Sequence, residues 1–175
     1  MLAAFRRVAE VGFEGLRLRQ VAEDVGIDHS TLHHHFATKQ DLIDAVTEYT
    51  TRQFWMLGDG PDDPVGALRA HLSGLRTMID ERPGLLVVTA ELDLRARRDT
   101  AVAATLARYE AGWREVLVDM LTAGNERGAW AGPVDPAVVT ELVIAVVKGV
   151  RLAPDRAGPV FAQLQTMLIG EGEPT

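Results

Sequence analysis

The sequence predicts an all-α fold of about nine helices, on three observations. Apolar residues recur at three- and four-residue spacing along almost the whole chain, glycine and proline clusters cut that pattern into helix-sized lengths, and no stretch alternates apolar with polar residues as a half-buried strand does. The composition agrees, since 47% hydrophobic and 6% aromatic residues in a chain of 175 supply a helical core for one domain or two small ones. Repeats and low-complexity runs are absent.

Leu2 to Phe13 is expected as the first helix, with Leu2, Phe5, Val8, Ala9 and Phe13 along one side and a stop in the Gly12 to Gly15 turn. From Arg17 to Leu42 the chain reads RLRQVAEDVGIDHSTLHHHFATKQDL, two short helices joined by a tight turn and then the start of a third. Leu18, Val21, Ala22 and Val25 fall at helical spacing. Gly26 can take the left-handed backbone that closes a helix, Ile27 supplies an apolar plug, and Asp28 is placed as the N-cap of a helix beginning at about His29. The only strongly apolar stripe of that helix is Leu32 and Phe36, which leaves Ser30, Thr31, His33 and His34 available. Thr38 and Asp41 have capping-box spacing at the start of the next helix. Lys39 stands in its first turn, where a cation is slightly unfavourable to the helix dipole, so another group is expected to want it.

That third helix runs to about Leu57, with Leu42, Ile43, Val46, Tyr49, Gln53 and Met56 along one side, and GDGPDDP, Gly58 to Pro64, is the clearest linker. Val65, Leu68, Leu72, Leu75 and Ile79 then mark a helix that ends before Pro83. Leu85 to about Arg97 is apolar nearly all round at first and then charged, as suits a helix buried at one end. Thr100 to Ala123 is the long helix, carrying Val102, Leu106, Tyr109, Trp113, Val116 and Met120, with Glu110 and Arg114 spaced to pair on its outside. Ala137 follows a proline and opens a helix with a wide apolar face, Val139, Leu142, Val143, Val146, Val147 and Val150. Val160, Phe161, Leu164, Met167 and Leu168 mark the last helix, after which GEGEPT is expected to fray.

Two short helices around a glycine turn, the second thin and rich in donors, make a helix-turn-helix, whose second helix enters the DNA major groove while the first braces it. Gly12 with an aromatic beside it, Val21-Ala22, Gly26-Ile27, Thr31-Leu32, His35-Phe36, and Lys39 followed by Leu42 stand in order over about thirty-five residues, Gly12 to Val46. This stretch closely resembles the DNA-binding domain of TetR-family transcriptional repressors. Two departures stand out. The family usually has tyrosine where this chain has His33, which can still donate to a phosphate, and serine or threonine where it has Arg17, a poor N-cap.

The resemblance implies a three-helix helix-turn-helix domain over residues 1–47 (motif about 17–36) followed by a helical ligand-binding and dimerisation domain over 48–175. The candidate DNA-contacting residues are Arg19, His29, Ser30, Thr31, His33, His34, His35 and Lys39. His29 and His33 are four apart, a spacing that can clamp a metal, but His33, His34 and His35 point about 100° apart in succession and cannot converge on one ion. No metal and no cofactor are expected. His35, beside Phe36, is expected to serve as much to position the helix against the backbone as to touch it.

Trp55, Met56, His71, Met78, Glu91, Arg95, Tyr109, Trp113 and Met120 lie on or beside apolar helical stripes, where core is the simplest reading and Glu91 with Arg95 a surface pair. The resemblance implies a small, usually apolar effector between these helices. Trp55, Met56, Met78, Tyr109, Trp113 and Met120 are the candidates to line its site, Tyr109 and Trp113 first. The last two helices leave more apolar face than a chain this size can cover, and Ala145 and Gly149, four apart, admit a close neighbour. By resemblance, Leu142, Ala145, Val146, Gly149, Phe161, Leu164 and Leu168 form a homodimer interface; the plainer alternative is that they cover the core of their own chain.

Charge opposes this reading. The net charge is −7, and residues 1–47 hold five Lys/Arg against seven acids, so phosphate neutralisation supplies little affinity and specific contacts must carry more. The resemblance implies that such families often have a basic arm before the first helix; this sequence begins inside that helix, and a short or missing arm would lower affinity further. The N-terminus is too short and too charged for a membrane span and runs directly into folded-domain pattern, so a cytoplasmic protein is expected. Zero cysteines exclude disulfides, thiolate metal sites and cysteine nucleophiles.

The function expected is therefore a homodimeric, ligand-responsive transcriptional regulator, most simply a repressor that leaves double-stranded operator DNA when a small apolar molecule binds. An enzyme is not expected, because no nucleophile with base and orienting acid and no phosphate-cradling glycine loop is present. The alternative is a helical protein-interaction module that has lost DNA binding, to which the acidic balance and His33 point.

Overall fold

The computed structural model describes residues 1–55 and 63–170, with backbone alone for Phe54 and Trp55. Among these it has nine α-helices and one 3-10 turn: α1 Leu2–Gly15, α2 Leu18–Val25, α3 His29–His35, α4 Lys39–Trp55, α5 Pro64–Glu81, α6 Pro83–Ala96, α7 Thr100–Glu126, α8 Pro136–Leu152, the turn Pro154–Arg156 and α9 Ala157–Ile169. The expected end of α4 at Leu57, most of the Gly58 to Pro64 linker and the GEGEPT tail beyond Gly170 lie outside the described residues. Pro64 opens α5, and the Asp63 carboxylate accepts the Gly66 N–H at 2.7 Å. No helix is long and apolar enough to cross a membrane among the described residues.

The chain forms two compact units, one of Met1–Phe54 with Arg82–Tyr109, the other of Trp55–Glu81 with Glu110–Thr175. In the first, Val8, Phe13, Leu16, Val21, Ala22, Leu32, Leu42, Ile43 and Val46 are buried together, and Val88 and Leu92 of α6 and Val102 of α7 join the same core. Periodicity placed most of these on apolar stripes, Leu16, Val88 and Leu92 excepted, but could not say which stripes meet. The buried face of α4 also carries Thr47 and Thr50, whose hydroxyls donate to the Ile43 and Val46 carbonyls at 2.8 and 2.7 Å. Polar groups satisfied within their own helix cost little to bury.

Gly12 interrupts α1 with φ 65° and ψ 176°, a backbone that favours glycine. The kink takes the Phe13 N–H out of the helical ladder, and it donates to Glu91 Oε2 of α6 at 3.3 Å. Glu91 is therefore engaged with α1 rather than in the expected surface pair with Arg95, whose guanidinium lies 5.6 Å from the Phe13 ring centroid and donates to Asp99 and Gln40.

In the second unit α5 packs on α9, and α9 on α8. Leu68, Leu72, Leu75 and Ile79 of α5, Leu117 and Leu121 of α7, Val143, Val147 and Val150 of α8, and Phe161, Leu164 and Leu168 of α9 are buried. Asp135 caps α8, accepting from the Ala137 and Val138 N–H groups at 3.0 and 3.2 Å, and Pro136 fills the first helical position, where no N–H is needed. The expected pairing of Glu110 with Arg114 is corrected. The Arg114 side chain pairs with Glu141, and Lys148 with Glu110, because α8 offers each an opposite charge across the helix contact.

Candidate nucleic-acid interface

Gly26 closes α2 in the left-handed region, φ 69°, with its N–H directed to the Ala22 and Glu23 carbonyls, and the Ile27 N–H donates to Ala22 O at 3.1 Å. The turn is as its sequence predicts, but Ile27 is not the plug. It and Val25 are both exposed, at 38% and 47%, since the buried stripe of so short a helix ends with Val21 and Ala22. Asp28 occupies the N-cap position of α3 with extended backbone, although its side chain accepts no capping bond. Arg7 fastens this motif to α1, donating from Nε and Nη2 to the two Asp24 carboxylate oxygens, each at 2.6 Å. That hydrogen bond, ahead of the charge attraction, holds the Asp24 carboxyl below its ordinary range.

In α3 only Leu32 is buried. At about 100° per residue, Ser30 and His34 lie opposite Leu32, Thr31 and His35 on one flank, and His29 and His33 on the other; all six are exposed. The His29 and His33 rings stack, centroids 6.1 Å apart and planes within 9°. His33 Nδ1 lies 3.4 Å from the Phe36 carbonyl, so this ring also closes the end of its helix. A short helix anchored by one leucine, with hydroxyls and imidazoles around the rest, presents hydrogen-bonding groups outward at little cost to the core.

Thr38 and Asp41 make a reciprocal capping box: the Thr38 N–H donates to Asp41 Oδ2 at 2.8 Å and the Asp41 N–H to Thr38 Oγ1 at 3.1 Å. The next residue after Thr38, Lys39, is half-buried, its ammonium 3.4 Å from the Glu14 carbonyl. Burial first, then the nearby Arg17 charge, pushes this ammonium below the ordinary lysine range. Arg17 donates to the same Glu14 carbonyl and, at 3.1 Å, to that of Leu16. Two cations thus converge on one neutral acceptor. Arg17, a weak N-cap by its sequence position, is the residue that pattern reading passed over, and its only signal was that departure. Arg19 is exposed and paired with Glu23 at 3.1 Å, a contact that an incoming phosphate can displace at small cost.

The remaining candidates fall in different places. Tyr109 belongs to the first unit, with the Arg108 guanidinium 5.6 Å from its ring centroid. Met78, Trp113 and Met120 belong to the second; the Trp55 side chain and Met56 lie outside the described residues. The Trp113 indole N–H donates to His71 Nε2 at 3.0 Å, and burial lowers the His71 imidazole to about 4. On α8, Leu142, Ala145 and Gly149 are exposed and Val146 is half-buried, whereas Phe161, Leu164 and Leu168 of α9 are buried within their own unit.

Residues 1–46 match the family described as bacterial regulatory proteins, tetR family, and residues 64–165 match the BetI-type transcriptional repressor C-terminal family. The chain is 26% identical over 190 aligned residues to the tetracycline repressor protein class A from transposon 1721 of Escherichia coli, covering 95% of this chain and 84% of that protein. Its fold is similar to a TetR transcription regulator from Haloarcula marismortui, TM-score 0.85 at 22% identity and 95% of each chain. It is also similar to AibR in complex with isovaleryl coenzyme A and operator DNA, TM-score 0.74 at 20% identity, over 96% of this chain and 95% of that one.

Proposed function

The chain belongs to the TetR family of DNA-binding transcriptional regulators, and from that premise we propose that it is a homodimeric repressor released from its operator by a small, largely apolar effector. Residues 1–47 bind DNA, and residues 48–175 bind effector and partner. The observation that carries this reading is α3 itself, buried only at Leu32, with Ser30, Thr31 and His34 outward. Such a helix specifies by base-edge contacts, and Lys39 adds a phosphate contact that carries no sequence information. A small-molecule effector is supported by AibR, seen in complex with isovaleryl coenzyme A and operator DNA; the apolar character of the effector rests on the family resemblance alone. The effector must bind one arrangement of the dimer better than the other, since equal affinity shifts nothing.

Titration of the protein with its own upstream DNA and with scrambled duplex, at two salt concentrations, tests the reading. Thr31→Ala or His34→Ala is expected to cost about 1 to 3 kcal/mol on the specific site and little on random DNA. Lys39→Ala is expected to weaken both alike and to lower the salt slope by about 0.9 per protomer. Equal loss on both duplexes from Thr31→Ala and His34→Ala would show that α3 touches only phosphate. A wild type with no preference at either salt concentration would leave an interaction module.

A further inference from the structure

A DNA-facing surface that ends at Lys39 leaves the charge deficit of residues 1–47 in place. The first compact unit, however, also contains residues 82–109, where five arginines stand against three acids, Glu91, Asp93 and Asp99. Arg95, Arg97 and Arg98 fall together at the turn between α6 and α7. That turn is tied to the first turn of α4. Arg95 donates to Gln40 Oε1 at 3.2 Å and to Asp99 Oδ2 at 3.1 Å, and Gln40 Nε2 donates to the same Asp99 oxygen at 3.2 Å. The other Asp99 oxygen caps α7, accepting from the Ala101 and Val102 N–H groups at 3.1 and 3.2 Å.

The Asp99 carboxylate is thus committed to Arg95, Gln40 and the start of α7, which leaves Arg97 and Arg98 to be neutralised by another group. Arg17 and Arg95 both lie near enough to Lys39 to act on its ammonium. Holding like charges together is unfavourable until an anion arrives, and a clustered field of one sign attracts it. Arg97 and Arg98, two and three residues beyond Arg95, are exposed, and neither is bridged to a carboxylate among the described residues.

We propose that the turn between α6 and α7 is a second DNA surface, on which Arg97 and Arg98 hold backbone phosphates of the duplex flanking those met by α3 and Lys39. The proposal rests on the DNA-binding reading above and assigns to this turn a role outside the helix-turn-helix. Guanidinium suits the ligand, because its planar fork matches a phosphodiester in two hydrogen bonds. Contacts of this kind position the protein on DNA and read no sequence.

The test compares the full-length wild type with Arg97→Gln/Arg98→Gln, Arg97→Lys/Arg98→Lys, Lys39→Ala and Arg69→Gln, the last an exposed arginine of the other unit. Affinity for the upstream duplex and a scrambled one is measured over a salt series. The glutamine pair is expected to weaken both duplexes alike and to reduce the salt slope by about 1.8 per protomer, two contacts at about 0.9 each. The lysine pair keeps most of the slope, Arg69→Gln keeps all of it, and thermal unfolding is unchanged in all three. If the glutamine pair retains the wild-type slope while Lys39→Ala loses its share, the DNA reading stands and this proposal falls. Loss confined to the upstream duplex would mean base reading and would also overturn it. A wild type that binds neither duplex overturns both.

Discussion

Leucine in place of Gly149, or of Ala145, is expected to leave a folded protomer that no longer holds a two-half-site operator. Both residues are exposed, and a Cβ at Gly149 meets nothing within 4 Å, so a larger side chain at either position can extend towards solvent within the protomer. They belong to a stripe on α8, Val138, Leu142, Ala145, Gly149 and Leu152, at alternating spacings of four and three, with Val138, Leu142 and Leu152 exposed at 65%, 43% and 79%. Val143, Val147 and Val150 cover the opposite side. In the proposed homodimer, this exposed apolar seam with small residues at its middle is where the two-fold partner would pack.

Bulk at the middle of that seam separates the two copies, and with them the two recognition helices. A single half-site gives up the linked second contact, worth roughly 10²- to 10⁴-fold in affinity. Sedimentation at micromolar concentration should find a dimeric wild type and a monomeric variant, with operator binding lost in parallel. A monomeric wild type, or a leucine variant that stays dimeric and binds DNA as before, ends the idea.

The helix-turn-helix could be read from the sequence because its signals are local. Gly26 needs only its own φ, and the Thr38–Asp41 box spans four residues. The plan of nine helices was legible for the same reason, since periodicity and breakers act within each segment. Partnerships across the chain were not. Glu91 meets the Phe13 N–H from 78 positions away, and Arg114 prefers Glu141 to the helical neighbour Glu110, because tertiary packing brought a better-placed carboxylate. Phe161, Leu164 and Leu168 show a further limit. Their spacing declares an apolar face, and only the packing of α9 against α5 and α8 says that the protomer itself covers it. For Leu142, Ala145 and Gly149 the same kind of stripe came out exposed.

Acid is expected to destabilise the second unit through His71. A tryptophan N–H can only donate, so the Trp113 contact requires an unprotonated Nε2 on His71 and leaves the imidazole proton on Nδ1. Burial opposes the charged form as well and brings the group from 6.5 to about 4. Between those two values the unfolded chain binds a proton that the folded chain refuses, so stability rises with pH across the window and falls as pH drops from 6.5 towards 4. Below about 4 both states are protonated and the loss is complete, about 3 kcal/mol for such a shift. Carboxylates titrate nearby, so the readout is a difference. Urea unfolding at pH 7 and pH 4.5 should show His71→Gln, whose amide oxygen can still accept from the indole, losing about 2 kcal/mol less than the wild type on acidification. Trp113→Phe should keep most of the wild-type dependence, because burial rather than the indole contact lowers the imidazole. Identical pH dependence in wild type and His71→Gln would show that this imidazole is not kept neutral by the fold.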